Sequence, residues 1–430
     1  MSEPRSAGDT WCGELELSGT GGLRGVVPRA QHHLRARILL RLHGDPIGYV
    51  TVALPADTNA VDVVLRAART SFAADIDSHL RAEGAPAWST GERPASPSAE
   101  CPNVGEPAGL VSVVVGTRNR SALLATCIEN LAGLTYPDLE FLIVDNAPTD
   151  DSTRDVVDAM AKRDSRFTYL REPRPGLSQA RNCGLAHAQG RFIAFTDDDV
   201  VVDPGWIGGL IRGFARSPRV ACVTGLVASA TLDSAAEEYF DAHTPTWSTR
   251  CRPDVFCADQ PDGRGRLFPY SPGLYGTGAS MAFDREFLSG LGGFDLALGA
   301  GTRSRGGEDL DIFLRTMETD RCIAYEAAAV VWHHHRADWA SLENQMFGYG
   351  AGLTACLTKI LLRRASGPKL LRRMPYGLPK LRSPVSAPVP SVRPAIKPPA
   401  AIVRRERLGM LAGPALYFRA RAATARAARR

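Results

Sequence analysis

No run in the 430 residues reaches the roughly 18 uncharged apolar positions that a membrane-spanning helix needs. The chain begins MSEPRSAGDTWCGELELSG, which has neither a basic region nor an apolar core, so no secretory signal is expected. None of the nine cysteines stands in a CxxC pair. That argues against a zinc ribbon and predicts reduced thiols in a cytosolic protein. Aromatic residues are scarce where positive charge is dense: from 376 onward only Tyr376, Tyr417 and Phe418 occur. A single-stranded nucleic-acid platform would interleave more rings with its cations, so a nucleic-acid partner is disfavoured.

What is present is ordinary globular material, 44% hydrophobic and 23% charged, with an uneven distribution of charge. The net charge is +5, yet Lys359 to Arg430 holds 18 Lys and Arg against one acid, Glu406. The rest of the chain is therefore net acidic. Such a division suits a body that holds a cation and a tail that meets an anionic surface, the cytoplasmic face of a membrane among them. Composition and periodicity divide the chain into a disordered start (1–28), a small αβ unit (29–83), a Pro/Ser/Gly linker (84–109) and a central domain (110–335). A helical extension (336–375) and a proline-rich spacer with a basic tail (376–430) complete it.

In the small unit, residues 34–54 alternate as two strands around HGDPIG, and an amphipathic helix follows. In the central domain, strands LVSVVVGT, EFLIVDN, FTYLRE and RFIAFTDDD alternate with helices of about 10–15 residues, which predicts a doubly wound, mostly parallel α/β sheet. Ligands of such sheets collect at the carboxyl ends of the strands. Polar residues stand at those ends: Thr117 and Arg118, Asp145 and Asn146, then Asp197, Asp198 and Asp199.

Three consecutive carboxylates repel one another and lose hydration if buried. Asp197-x-Asp199 can chelate one Mg²⁺ or Mn²⁺ through hard oxygens; a solvated acidic turn is the plain alternative. Asp145 reads either as a turn residue or as a carboxylate for a base or ribose. Arg181 lies in line with Leu177 and Leu185, so it needs an anionic partner, either Asp197 or Asp198 internally, or a nucleotide beside them. In GGEDLDIFLR, Glu308 and Asp309 open a helix behind the small-residue segment LALGAGTRSRGG. They read as a macrodipole-favoured acidic pair, or Asp309 reads as a general base. Arg303 and Arg305 in the segment can screen phosphate charge. In VVWHHHR, two of His333, His334 and His335 are expected in solvent, and one can supply nitrogen to the same metal.

At these residues the chain resembles the inverting family 2 glycosyltransferases of GT-A fold, over roughly 110–335. The ordered set VSVVVGTRNR, LIVDNAPTDDS, GLSQARNCGL, FTDDDVVVDP, GTGASMAFDREFLSGLGGFD, GGEDLDIFLR and VVWHHH carries the resemblance. It implies a nucleotide-sugar donor, a hydroxyl-bearing acceptor and a divalent cation, Mn²⁺ or Mg²⁺. It also implies that Thr117, Arg118, Asp145 and Arg181 line the nucleotide site, and that Asp197 and Asp199 form the DxD pair. Asp197 or Asp198 would lie near the ribose, Asp199 on the metal, and Asp309 would be the base; with the histidine reading above, the expected metal set is Asp197, Asp199 and His333. The QxxRW motif of processive members is absent, which argues against a polymer synthase. Two other readings remain: a sugar-phosphate nucleotidyltransferase, disfavoured because VGTRNRSALL has one glycine and no lysine, and a nucleic-acid-binding protein using the tail.

Overall fold

The computed structural model describes residues 10–54, 58–88, 93–94, 108–261, 263–382 and 399–427. Three strands come first: β1 (Thr10–Glu16), β2 (Arg35–Leu42) and β3 (Asp45–Ala53). The expected disorder of 1–28 is overturned from Thr10 onward, because β1 pairs in parallel with β2. Its apolar Trp11 and Leu15 complete the small core over the helix Ala60–Ala82. The β2–β3 turn is tighter than HGDPIG suggested. His43 (φ 55°) and Gly44 (φ 83°) alone reverse the chain, with both residues left-handed as a two-residue primed turn requires.

The central sheet holds β4 (Val111–Thr117), β5 (Leu139–Asn146), β6 (Phe167–Glu172), β7 (Phe192–Asp197), β8 (Val200–Val202), β9 (Val220–Ser229), β10 (Asp254–Cys257), β11 (Met281–Asp284) and β12 (Cys322–His333). Its order is β10-β12-β9-β11-β7-β4-β5-β6, with β8 against β12. Strands β4, β5, β6 and β7 pair in parallel, as the sequence predicts, while β11 runs antiparallel between β7 and β9. Both faces are covered, which is why the strands are continuous apolar runs. Val113 and Val115 face a core under helices Ser121–Ala132 and Trp206–Ala215. Val114 faces the core under Leu177–His187 and Glu308–Met317. Gly184 lets the first of these settle on the sheet, since a Cβ there would lie 2.4 Å from Val114 Cγ1.

The N-terminal sheet packs on the end of the central one. Leu39 and Tyr49 meet Leu226, Ala228, Val330 and Trp332. Two buried arginines of β2 cross the same seam: Arg37 pairs with Asp241, and Arg41 with Asp203 and, at 3.0 Å, Glu14. Removing one partner of such a buried pair strands a charge, so truncating either side alone should be costly.

One expectation about thiols fails. Cys257 of β10 is disulfide-bonded to Cys322 of β12. The antiparallel register places them directly opposite each other although 65 residues separate them in sequence. No local spacing could announce that pair.

The basic C-terminal segment is not a free tail where it is described. Helix Ala400–Ala427 buries Ile402, Glu406, Gly409, Gly413, Tyr417 and Ala420, one face of a 3.6-residue period, against helix Trp339–Leu361. The crossing is close because it is made of small residues: a Cβ on Gly413 would lie 2.0 Å from Thr354 Oγ1. Most of the proline-rich spacer, and most of the 84–109 linker, lie outside the described residues.

Candidate functional site

Parallel pairing brings the polar strand ends to one edge. Thr117 stands opposite Asp145, and Gly116 opposite Asp197. A cavity of about 340 Å³ opens there, lined by Thr117, Arg118, Asn146, His333 and all three aspartates. Thr117 Oγ1 donates to Asp198 Oδ2 at 2.7 Å. Arg120 donates to Asp198 Oδ1 and, at 3.2 Å, to Asp199 Oδ2. Arg336 adds a second guanidinium 3.8 Å from Asp199.

Neither Arg120 nor Arg336 was singled out in the sequence. Arg120 reaches the aspartates because Asn119 (φ 52°) turns the chain just after β4, while Arg118 stays exposed on the cavity wall. Burial pushes the Asp199 carboxyl up, but His333, Arg120 and Arg336 outweigh it and hold it below the usual range. Asp197 goes the other way: its burial outweighs the attraction of Arg181.

Arg181 is buried, and its partners are internal. Nη1 donates to Glu308 Oε1 at 3.1 Å, and Nη2 to Asp197 Oδ1 at 3.3 Å and Gly278 O at 3.2 Å. Of the internal partners that the sequence offers, Asp197 and Asp198, it is Asp197 that pairs with Arg181; Glu308 is the addition. The same loop holds Asp309, whose Oδ2 accepts from Gly278 N at 3.0 Å. Burial and the neighbouring Asp309 raise Glu308 to about 7. Arg181 thus ties the aspartate strand end to the start of helix Glu308–Met317. A second cavity of about 410 Å³, lined by Asp309, Arg181 and Arg305, adjoins the first, and Asp197 lines both. Among the lining residues Arg303 is not found, whereas Arg305 is, with its guanidinium 5.1 Å from the Phe347 ring.

Asp145 is the candidate that stands apart. It is fully buried, accepts from Tyr169 at 2.9 Å, and leaves Oδ1 without a partner among the described residues. Its neighbour Asn146, not Asp145, lines the cavity.

The histidine run departs from expectation. His335 is 6% exposed rather than in solvent, and burial, then His333, depresses its pKa to about 3. It belongs to a chain of hydrogen bonds whose proton directions follow from valence. Asp241, held by Arg37, can only accept, so Ser229 Oγ donates its one proton to Asp241 Oδ1 at 2.6 Å. Ser229 must then accept from His335 Nε2–H at 3.0 Å. That leaves His335 Nδ1 bare, to accept from His333 Nδ1–H at 3.2 Å. The remaining lone pair of His333, on Nε2, faces Asp199 Oδ1 at 3.5 Å. Burial lowers the His333 pKa, opposed by Asp199 and Asp197, and in its neutral form that Nε2 lone pair is free for a metal. Two hard carboxylates and one imidazole are the donor types that Mn²⁺ or Mg²⁺ takes. Among the described residues, however, the clusters whose donor atoms already lie within 4.8 Å of one another are His32–His33–Asp233 and His43–His79–Glu83, so Asp197, Asp199 and His333 would have to draw closer around an ion. Ser229, Asp241 and Arg37 could not be found from sequence, since each is far from the HHH run.

Residues 112–257 match the family Glycosyl transferase family 2. The first part of the central region, 112–257, is therefore similar to a family 2 glycosyltransferase domain. Among curated relatives, glycosyltransferase GlyG of Streptococcus pneumoniae serotype 4 (strain ATCC BAA-334 / TIGR4) is 35% identical over 104 residues, 24% of this chain and 34% of the relative. The pre-mycofactocin glycosyltransferase of Mycobacterium tuberculosis (strain ATCC 25618 / H37Rv) is 27% identical over 234 residues, 53% of this chain and 44% of the relative. The chain therefore spans less than half the length of either. Among solved structures, the mannosyltransferase PcManGT of Pyrobaculum calidifontis, in complex with GDP-Man and Mn²⁺, is similar over 76% of each chain, with 20% identity and a TM-score of 0.43. That likeness is too slight to transfer residues. The strands and both cavities of the glycosyltransferase domain are assembled largely from 110–335, and helix Trp339–Leu361 closes one side with Tyr349.

Proposed function

We propose that this protein is a metal-dependent, inverting glycosyltransferase that moves a sugar from a nucleotide-sugar donor to an acceptor hydroxyl. The observation that supports this best is the pair of adjoining cavities with Asp197 on their common boundary. One holds the aspartates, His333, Thr117 and Arg118, a set suited to a nucleotide diphosphate and cation. The other holds Asp309, a carboxylate anchored by a backbone amide, suited to receive a proton.

Asp197, Asp199 and His333 would hold the cation, which when bound supplies positive charge to the diphosphate. Asp309 takes the proton as the acceptor oxygen forms its bond to the anomeric carbon, and the bond from that carbon to the diphosphate oxygen breaks. Its Oδ2 is fixed by Gly278 N, so the carboxylate needs no reorientation. One base and one displacement give inversion. Calorimetry with UDP, GDP and dTDP tests the donor site: one of them should bind in Mn²⁺ and fail to bind in EDTA, and indifference to EDTA would remove the metal from the proposal.

The outer hydrogen bonds give a further prediction. His335→Ala frees the His333 ring and should weaken Mn²⁺ affinity about 10–100-fold, the usual worth of an orienting partner. Mn²⁺ titration followed by electron paramagnetic resonance reads the change directly, and Ser229→Ala should act in the same direction. Unchanged affinity in both would exclude His333 from the metal.

A place at the cytoplasmic face of a membrane is part of the same proposal. No helix among the described residues is long and apolar enough to cross a membrane. Large apolar side chains nonetheless stand exposed beside the C-terminal cations: Leu371, Met374, Leu408, Leu411 (79% exposed) and Phe418. Lysine and arginine near an anionic leaflet contribute about 1 kcal/mol each, screened within a Debye length. Sedimentation should show the chain bound to anionic vesicles at low salt and free at high salt, and Leu411→Glu with Phe418→Glu should reduce the bound fraction severalfold. Truncation before helix Ala400–Ala427 is the poorer test, because that helix packs on Trp339–Leu361. Equal behaviour with neutral vesicles would end the membrane reading.

A further inference from the structure

The cavity beside Asp309 extends away from the aspartates to a carboxylate that neither the family match nor the mechanism uses. That carboxylate is Glu406, from helix Ala400–Ala427, and it lines the same cavity as Asp309. Glu406 is 6% exposed, and its Oε2 has no hydrogen-bond partner among the described residues. A buried carboxylate left unsatisfied is costly, and a donor brought by a ligand to the Glu406 carboxylate would offset that cost. Burial raises its pKa to about 7. Apolar and aromatic side chains share the lining with Asp309 and Glu406: Tyr239, Leu310, Met346 and Leu353, and Phe240 and Trp247, which line the aspartate cavity as well.

The charged groups facing this space also restrict its occupant. Asp197, Glu308, Asp309 and Glu406 are acidic. Arg181 is already engaged by two carboxylates and a carbonyl, and Arg305 lies over Phe347. His243 bonds the Tyr239 carbonyl through Nδ1, and burial lowers its pKa. An acceptor bearing phosphate finds little uncommitted positive charge here.

We infer that Glu406 is the distal anchor of the acceptor site, and that the acceptor is a neutral or cationic alcohol on an apolar, aromatic-sized frame with a second hydrogen-bond donor. The reacting hydroxyl sits at Asp309, the frame lies along Trp247, Tyr239 and Met346, and the second donor completes Glu406. This rests on the assignment of Asp309 to the acceptor side.

The test uses two probes that differ by one hydroxyl, 4-(2-hydroxyethyl)phenol and 2-phenylethanol, with glucose 6-phosphate as the anionic control. Binding to the full-length chain is read by calorimetry at pH 8, where Glu406, with its pKa of about 7, is mostly ionised. The phenol should bind about tenfold or more tighter than 2-phenylethanol, the worth of a hydrogen bond to a charged group, and glucose 6-phosphate should not compete. Glu406→Leu keeps the volume and removes a buried charge, so its melting temperature should not fall. The two alcohols should then bind within about threefold of each other. Glu406→Ala gives a second variant for the same comparison. Preference for the phenol that persists in both variants, or competition by glucose 6-phosphate, overturns the inference. Mn²⁺-dependent nucleotide binding, measured on the same samples, should be unchanged in both variants. Its loss in the wild type would defeat the donor reading, while the probe preference reports on Glu406 independently.

Discussion

Asp309→Asn should lower sugar transfer by about 10²–10⁴-fold, the usual contribution of a positioned base, while nucleotide-sugar affinity stays within about threefold. Asparagine keeps the shape and can still accept from Gly278 N through its oxygen, so the loop that joins Arg181 to helix Glu308–Met317 keeps its hydrogen bonds. What it cannot do is take a proton. Glu308 is the obvious substitute, but its carboxylate is turned to Arg181 and buried. Steady-state transfer alongside donor calorimetry checks the expectation. Surviving transfer with collapsed donor affinity would place Asp309 on the donor side and leave the base elsewhere.

The second large effect is expected at the aspartate cluster. Asp199→Ala should weaken Mn²⁺-dependent nucleotide binding by on the order of 10²-fold or more, since even outer partners of a metal ligand are worth 10–100-fold. Asp199 is chosen because the other two aspartates have structural work. Asp198 is held by Thr117 and Arg120, and Asp197 completes the Arg181 network. Removing Asp199 relieves repulsion between neighbouring carboxylates but also ends its ion pairs with Arg120 and Arg336, which hold its pKa low, so a modest fall in melting temperature is expected. Calorimetry with the nucleotide that the wild type prefers, with and without Mn²⁺, reads the loss. Unchanged affinity would contradict the assignment of Asp199 to the cation.

Much of the first half of the central sheet was legible because its information is local. Strands β4 to β7 are apolar runs separated by helical periods, and their polar ends follow at once in sequence. Hence Thr117, Arg118, Asp197, Asp198, Asp199 and His333, proposed from sequence, line one cavity, and Asp309 the next. Asp145 shows the limit of that logic: sequence puts it at the strand end, but the pleat and Tyr169 turn it beneath the wall.

The rest depends on contacts between distant segments. Strand β9 is buried throughout, so it has no alternation to reveal a face, and nothing local says that β11 will run antiparallel beside it. Cys257 and Cys322 meet only through the β10–β12 register. The orientation of His333 is determined by Ser229, by Asp241 and finally by Arg37, which lies in the N-terminal sheet. A disordered start was expected because 1–28 lacks periodicity, yet β1 gains its order from β2 rather than from itself.

Metal-dependent glycosyl transfer is tested most directly by turnover of UDP-, GDP- and dTDP-sugars by the purified chain with Mn²⁺ or Mg²⁺, before and after EDTA, with release of nucleoside diphosphate followed over time. At least one nucleotide sugar should be turned over slowly by water alone. EDTA should stop it, added Mn²⁺ should restore it, and the released sugar should have inverted anomeric configuration. Turnover indifferent to EDTA, or release of pyrophosphate from a nucleoside triphosphate and a sugar phosphate instead, would contradict it.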